Sequence, residues 1–387
     1  MSGESSLYNK ENRRENAQSR DPNPKHLPRY DRPSLERKSV APDYEILNEQ
    51  LITENGQEKR IVSKAMWGES LRKATEAELY EQPPSPKEIV ARGQPLPNYE
   101  DTKVAVRPTG SVTFFGASTN RGSERSYNED RVSVILNIIK PESRKDETWP
   151  HCSFFGVYDG HGGTACADFL RDNLHQFVVR QKAFPFDPRE AIRRGFLEAE
   201  TAFLQLCEKN SEVSGSCAIV LMVIGQDCYI ANVGDSRALL SCYGGESIVN
   251  LSRDHKPTDS KEQKRILEAQ GKVFLTYCET LDDFGDIEAK LPRLGGNPRV
   301  LISMPEITSF RIDRGHETIL LGCDGIFDCL RSEQVVRTYL QATGGSPEEM
   351  IKGGLEDVLR AAMNMGSQDN LTIVAVGLRP EPPAMMR

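Results

Sequence analysis

The sequence has few of the residues and motifs that several classes of hydrolase require. Its 387 residues include only six histidines, and no histidine pair lies beside its aspartates. No cysteine is followed six positions later by arginine, the spacing that a thiol phosphatase needs. Neither a G-x-S-x-G elbow nor a G-x-x-x-x-G-K-[ST] loop occurs. These absences disfavour thiol phosphatases, serine hydrolases of the elbow type, P-loop enzymes and mixed His/Asp binuclear phosphatases.

Long apolar runs are also missing. None approaches the roughly 20 residues of a membrane span. The N-terminal stretch MSGESSLYNKENRREN lacks the apolar core of a secretory signal, and Ser2 replaces the glycine that myristoylation requires. The nine cysteines form no CxxC pair, which favours reduced thiols. We therefore expect a cytoplasmic protein, with the nucleus as an alternative, and a monomer.

Charge and proline content divide the chain. The first 108 residues carry 18 Lys+Arg and 18 Asp+Glu, so the net charge of −8 belongs to the remainder. The absence of a Lys/Arg stripe argues against nucleic acid as a ligand. Eleven of the 23 prolines, but no cysteine, precede Ser111. We predict a largely disordered or docking extension over 1–108, with one helix from Ile61 to Tyr80, a domain over 109–380 and a short tail over 381–387.

The domain alternates short β-branched runs with a few long amphipathic stretches. Several successive runs are joined by too few residues for a parallel crossover, so we predict an α+β fold with a mainly antiparallel sheet. The predicted strands are SVTFFGAS, RVSVILNII, CSFFGVYD, CAIVLMVI, CYIANVG, RALLSCY, ETILLGCD and NLTIVAVGL. The predicted helices are Thr164 to Arg180, Pro188 to Lys209, Ser260 to Gln270, Ser332 to Ala342 and Pro347 to Met363.

Three apolar strands each present a carboxylate at one end. CSFFGVYDGHGG and ETILLGCDGIFD end strands at Asp159 and Asp324, and SQDNLTIVAVGL places Asp369 before a strand. Taken singly, each is more typical of a turn or cap aspartate. Taken together, they indicate a site. Cys323 adjoins Asp324, but alternation along the strand predicts that its thiol points away as a core cysteine.

Two further segments add charge to this predicted site. GSERSYNEDR supplies Arg125, Glu129 and Asp130, and ANVGDSRALL places Asp235 in a tight hairpin turn. Ion pairing is the alternative interpretation of each. Clustered carboxylates without a cation repel one another, and oxygen ligands without paired His or Cys select a hard cation such as Mg²⁺ or Mn²⁺. Two such ions would let a phosphate dianion enter, so we expect strict metal dependence.

Seven segments occur in a recognisable order: RSYNED, FFGVYDGHGG, SGSCA, ANVGDSRALL, DHKP, CDGIFD and SQDN. Together they resemble the metal-dependent type 2C serine/threonine protein phosphatases, the PPM family, over roughly 111–378. The resemblance implies a central antiparallel β-sandwich flanked by helices, and phosphoserine or phosphothreonine proteins as substrates.

The resemblance also implies the role of each site residue. Asp159 would bridge two Mg²⁺ or Mn²⁺ ions, and a weaker third ion would lie in some members between Asp324 and Asp235. A water between the first two ions would attack phosphorus without a phosphoenzyme, and His161 would protonate the leaving oxygen. Asp324 and Asp369 would complete one metal site, and Gly160 would offer its carbonyl to the other ion. Glu129 and Asp130 would orient water, and Arg125 would bind the substrate phosphate. Asp328 and Asn370 would support these residues.

The sequence departs from the family pattern in three places. LPRLGGNPRVL, around Pro292 to Gly296, lacks the usual serine and aspartate of the flap beside the active site. Cys217 stands where threonine is usual, and LDDFGDIE is an acidic insertion without an EF-hand pattern. Because of the altered flap and the long segment over 1–108, a catalytically silent, phosphatase-like scaffold or regulatory binding protein is the alternative function. The substrate, the pathway and the role of 1–108 stay open.

Overall fold

The computed structural model describes residues 51–54, 57–60, 90, 95–210, 212–273, 290 and 297–380. Its strands are β1 (Leu51–Glu54), β2 (Gln57–Arg60), β3 (Lys103–Ala105), β4 (Val112–Asn120), β5 (Arg131–Ile135), β6 (Cys152–Tyr158), β7 (Gly160–His161), β8 (Gly215–Ser216), β9 (Ala218–Ile224), β10 (Asp227–Val233), β11 (Arg237–Cys242), β12 (Ser247–Asn250), β13 (Glu306–Arg311), β14 (His316–Gly322) and β15 (Leu371–Leu378). Its helices are α1 (Ala165–Val179), α2 (Pro188–Asn210), α3 (Ser260–Glu268), α4 (Asp324–Phe327), α5 (Ser332–Leu340) and α6 (Pro347–Asn364).

Two antiparallel sheets form the centre of the domain. One has five strands in the order β13-β10-β9-β6-β5, and the other has six in the order β12-β11-β14-β15-β4-β3. The short strands β7 and β8 pair separately, as do β1 and β2. None of the helices in the described part of the chain has both the length and the apolar character of a membrane span.

Alternation along the central strands divides their side chains between layers. In β6, Phe155 and Val157 lie in the core shared by the two sheets, whereas Phe154 and Tyr158 pack with Leu174 of α1 and other residues of α1 and α2. Because successive strand side chains point to opposite faces, a continuous apolar run is required when both faces are covered.

The six-stranded sheet is covered in the same way. Val374 of β15 belongs to the core between the sheets, and its neighbour Ile373 packs with Val335 of α5 and Leu355 of α6. Burial of each such side chain stabilises the fold by about 1.5–3 kcal/mol. The domain is thus a β-sandwich with a helical layer on each outer face, as the family resemblance implies, and its α+β class and antiparallel pairing agree with the sequence patterns.

All eight predicted strands and all five predicted helices are present, although β5 ends at Ile135, earlier than predicted. The sequence did not predict the edge strands β3, β12 and β13 or the short paired strands β1, β2, β7 and β8. Edge strands have exposed, polar positions and no continuous apolar run. The one-turn helix α4 was also missed, because its four residues are too few for a helical pattern.

The predicted domain boundary near residue 108 is wrong, because it falls between two strands of one sheet. β3 pairs with β4, and Leu96 is 4 % exposed in the core beneath α6. The short edge strand was not predicted, because the prolines and balanced charge of this segment are typical of a disordered extension. The predicted helix from Ile61 to Tyr80, the acidic insertion over 281–288, the altered flap and the tail lie outside the described residues.

Candidate active site

Asp159 follows the buried strand β6, and hydrogen bonds to its backbone carbonyl fix its position. Its carbonyl oxygen accepts a hydrogen bond from the amide of Cys217 at 2.8 Å and another from the Ser216 hydroxyl at 3.0 Å. The next residue, Gly160, admits no side chain, because a Cβ there would lie 2.5 Å from the carbonyl oxygen of Glu129. The backbone of β7 therefore packs directly against the Glu129 carbonyl, and its second residue is His161, at 7 % exposure.

Asp324 and Asp369 come from the adjacent sheet. β14 ends at Gly322, and Asp324 is the first residue of α4, with its amide 3.5 Å from a carboxylate oxygen of Asp159. Asp369 precedes β15, and its carboxylate lies 2.9 Å from the guanidinium of Arg125. The structure thus brings together the three strand-end aspartates and the predicted arginine.

Asn370 holds the loop that carries the other acidic residues. Its side-chain oxygen accepts a hydrogen bond from the Glu129 amide at 2.8 Å, and its nitrogen donates to the carbonyls of Arg121 and Tyr127, each at 3.0 Å. Glu129 in turn accepts a hydrogen bond from the Gly163 amide at 2.6 Å. One amide side chain therefore connects the start of β15 to a segment some 240 residues earlier.

The hairpin turn that the sequence predicts around Asp235 is wrong. β10 and β11 belong to different sheets, so the segment between them crosses from one sheet to the other. Gly234, at φ +108°, permits the crossing. The thiol of Cys217 lies 3.5 Å from the carboxylate of Asp235, so the departure from the usual threonine falls inside the site.

Lys256, which the sequence analysis did not single out, extends into the same region. Its ammonium lies 3.8 Å from Asp235 and forms a hydrogen bond with Asp328. Burial alone would lower the pKa of Lys256, but Asp235 and Asp328 outweigh burial and raise it. The DHKP motif contains this lysine, although the sequence alone gives no sign of which carboxylates it meets.

Burial and mutual repulsion make the clustered carboxylates hard to ionise. Burial, followed by the charges of Asp324 and Asp130, holds the pKa of Asp159 well above its ordinary value. Burial likewise raises the pKa of Asp324, with a contribution from Asp235. The pKa of Asp130 rises to about 7, mainly through burial. Such a cluster is stable in its charged form only beside cations.

Residues 119–371 match the family model described as Protein phosphatase 2C. The chain belongs to the protein phosphatase 2C family. The phosphatase is 33% identical over 283 residues to "Probable protein phosphatase 2C 22" of Arabidopsis thaliana, covering 70% of each chain. It is 32% identical over 271 residues to "Probable protein phosphatase 2C 54" of Oryza sativa subsp. japonica, covering 68% of this chain and 72% of that relative.

Solved structures with the same fold include the C. elegans sex determining protein. It aligns with a TM-score of 0.57 and 21% identity, over 73% of this phosphatase and 66% of that chain. A phosphatase from Toxoplasma gondii aligns with a TM-score of 0.54 and 20% identity, over 72% of this chain and 96% of that chain. At these identities the alignments establish the fold alone.

The residues of this phosphatase fit divalent cations. Asp130 is 3 % exposed, and within the described residues neither of its carboxylate oxygens has a hydrogen-bond partner. Thr372 and Cys323 are near enough to lower its pKa somewhat but lack hydrogen-bond geometry. A buried, unpartnered carboxylate is costly unless a cation satisfies it. The surrounding oxygen donors match the preference of hard cations such as Mg²⁺ and Mn²⁺.

The prediction that the Cys323 thiol points away from the site is wrong. Ligand atoms of Cys323, Asp130 and Asp159 all lie within 4.8 Å of one another. Alternation does not apply here, because β14 ends at Gly322 and Cys323 already caps α4. The thiol is nevertheless buried, at 1 % exposure, as expected of a core cysteine.

Proposed function

We propose that the protein is a metal-dependent serine/threonine protein phosphatase that hydrolyses phosphoserine and phosphothreonine in other proteins. The observation that carries the proposal is the buried carboxylate cluster with Arg125 at its edge, in a chain of the protein phosphatase 2C family. Five carboxylates and one guanidinium leave four negative charges, which two divalent cations would balance; the five are Asp159, Asp324, Asp369, Glu129 and Asp130.

In this proposal two Mg²⁺ or Mn²⁺ ions would be held by Asp159, Asp324, Asp369 and the carbonyl of Gly160, and Asp235 would contribute to a weaker third. When bound, such ions supply Lewis acidity and make a coordinated water far more acidic. A shared site for these residues is supported by the backbone amide of Asp324, which lies 3.5 Å from a carboxylate oxygen of Asp159.

The remaining roles belong to the chain's own side chains. The Arg125 guanidinium has the planar donor geometry that binds two phosphate oxygens at once, and it lies beside the carboxylate of Asp369. The His161 imidazole would give a proton to the departing seryl or threonyl oxygen. Glu129 and Asp130 would orient water, and Asn370 would keep both acidic residues in place through the Glu129 amide.

Release of phosphate from a phosphothreonine peptide tests the proposal directly. We expect turnover with Mn²⁺ or Mg²⁺, none with EDTA, and a loss of at least about 100-fold in Asp159→Asn. Asp227→Asn removes an exposed carboxylate 3.4 Å from Arg311, so it is the matched control and should retain activity. A folded, metal-loaded protein without turnover would refute the enzyme and favour the silent scaffold.

A further inference from the structure

Residues 95–106, here called the strap, precede the predicted domain boundary and lie against the six-stranded sheet and α6. Leu96 packs in the core beneath α6. Asp101 accepts a hydrogen bond from Lys352 at 3.0 Å, and the hydroxyl of Thr102 lies 3.0 Å from that of Ser118. The strap is therefore fixed to the domain at several points along its length.

Asn98 connects the strap to the loop after β4. Its side-chain nitrogen donates to the carbonyl of Gly122 at 2.8 Å, and its side-chain oxygen accepts a hydrogen bond from the Arg121 guanidinium. Its backbone carbonyl accepts from the side chain of Asn120 at 3.1 Å. Asn98 has φ +53°, a left-handed conformation that Asn, Asp and Gly tolerate best. The backbone of Asn98 thus holds its side chain against the loop in a conformation that most residues avoid.

Through Arg121, the contacts of Asn98 extend to the turn that carries Arg125. The other guanidinium nitrogen of Arg121 donates to the carbonyl of Ser126 at 2.9 Å, so Arg121 spans the turn that carries Arg125. Gly122 packs closely on Asp369, because a Cβ at Gly122 would lie 2.1 Å from the Asp369 carbonyl oxygen. Asn370 joins the two ends of the turn through the carbonyls of Arg121 and Tyr127, and Asn98 adds a second set of contacts at its first end.

We propose that Asn98 is a positioning residue for Arg125, and that the strap thereby sets the affinity of the site for phosphorylated substrates. This inference rests on the proposed function, in which Arg125 binds the phosphate. Loss of the Asn98 side chain would remove one of the two contacts of the Arg121 guanidinium and let the turn sample other conformations, at a cost in phosphate binding. Asp159 and Asp324 follow other strands and would keep their metals.

Steady-state kinetics of the full chain on a phosphothreonine peptide test the inference. For Asn98→Gly, which keeps the backbone conformation, we expect KM and the inhibition constant of inorganic phosphate to rise about fivefold, with kcat changed less than about twofold. Asn98→Asp keeps the acceptor for Arg121 and should restore much of the affinity. Tyr99→Phe deletes a neighbouring hydroxyl that faces α6 and should change neither constant.

A double mutant separates this inference from the proposed function. If Asn98 acts through Arg125, Asn98→Gly will have no further effect on KM in an Arg125→Ala background. An unchanged KM in Asn98→Gly, with a raised KM in Arg125→Ala, would overturn the inference alone. An unchanged KM in Arg125→Ala would overturn the phosphate-binding role itself. Equal losses of Mn²⁺ affinity and thermal stability in Asn98→Gly would indicate a merely structural residue and also overturn the inference.

Discussion

The ammonium nitrogen of Lys256 lies 3.8 Å from a carboxylate oxygen of Asp235. Asp235 is 3 % exposed, and it is the residue to which the family resemblance gives a weak third cation. Lys256 already supplies one positive charge there, because Asp235 and Asp328 keep its pKa raised against the effect of burial. A divalent ion that binds beside Asp235 must therefore approach, or displace, a charged lysine.

Replacement of Lys256 by methionine should strengthen binding of this third ion. The change keeps the length of the side chain and removes a like charge, so we expect about tenfold tighter binding of the weakest Mn²⁺ ion. Calorimetric titration with Mn²⁺ measures it. Lys264→Met is the matched control, because Lys264 is exposed on a helix and forms a long, 3.8 Å ion pair with Glu268. Weaker binding in Lys256→Met would show that the lysine supports the ion.

Stability of the metal-free protein should fall as pH rises. The pKa of the Asp130 carboxyl is ~4 in an unfolded chain, and burial raises this pKa to about 7 in the folded protein. Between these values the folded state binds more protons, so the free energy of unfolding decreases with increasing pH and stays low above about 7. In EDTA we expect a thermal midpoint about 5 °C lower at about pH 8 than at about pH 5.

Asp130→Asn identifies the source of this pH dependence. Asparagine cannot ionise, so the variant should lose part of the difference in thermal midpoint and gain stability in EDTA at high pH. The exposed Asp227→Asn variant should behave like the original protein. If Asp130→Asn leaves the pH dependence intact, Asp159 and Asp324, whose pKa values burial also raises, account for all of it.

Gly325→Ala should disrupt the site through packing. A Cβ at this position would lie 2.1 Å from the carbonyl oxygen of Asn370, so α4 or the start of β15 must move. We expect destabilisation of about 2 kcal/mol or more and weaker Mn²⁺ binding. Gly353→Ala in α6 is the control, since its Cβ would meet only Ala342 at 3.7 Å. Equal thermal midpoints for the two variants would contradict the packing argument.

His161→Gln tests the proposed proton donor. The variant should slow a phosphoserine substrate far more than p-nitrophenyl phosphate, because the nitrophenolate leaves without protonation. We expect a loss of about 100-fold in kcat for the first and less than about fivefold for the second. Rates on both substrates under saturating Mn²⁺ provide the measurement. Equal losses would assign His161 a positional role instead.

The sequence predicted most of the buried part of this structure. Continuous apolar runs such as β6 and β15 must be covered on both faces, and glycines beside Asp159 and Asp324 mark where such runs stop. The edge strands β3, β12 and β13 were not predicted, because they have no continuous apolar run. The direction of the Cys323 thiol was predicted wrongly, because the end of β14 could not be located to one residue. Asn98 and Lys256 escaped it for a different reason: their partners are long-range contacts that no local pattern records.

Asn370 has a consequence for synthesis of the protein on the ribosome. Among the strands that the structure describes, β15 is synthesised last, yet it lies between β14 and β4 in the six-stranded sheet. Until it inserts, Asn370 cannot hold Glu129, and Asp369 cannot reach Arg125. A chain truncated before β15 would contain nearly every acidic residue of the site but could not assemble it. Catalytic competence therefore depends on the synthesis and insertion of β15, and not only on the presence of the acidic residues.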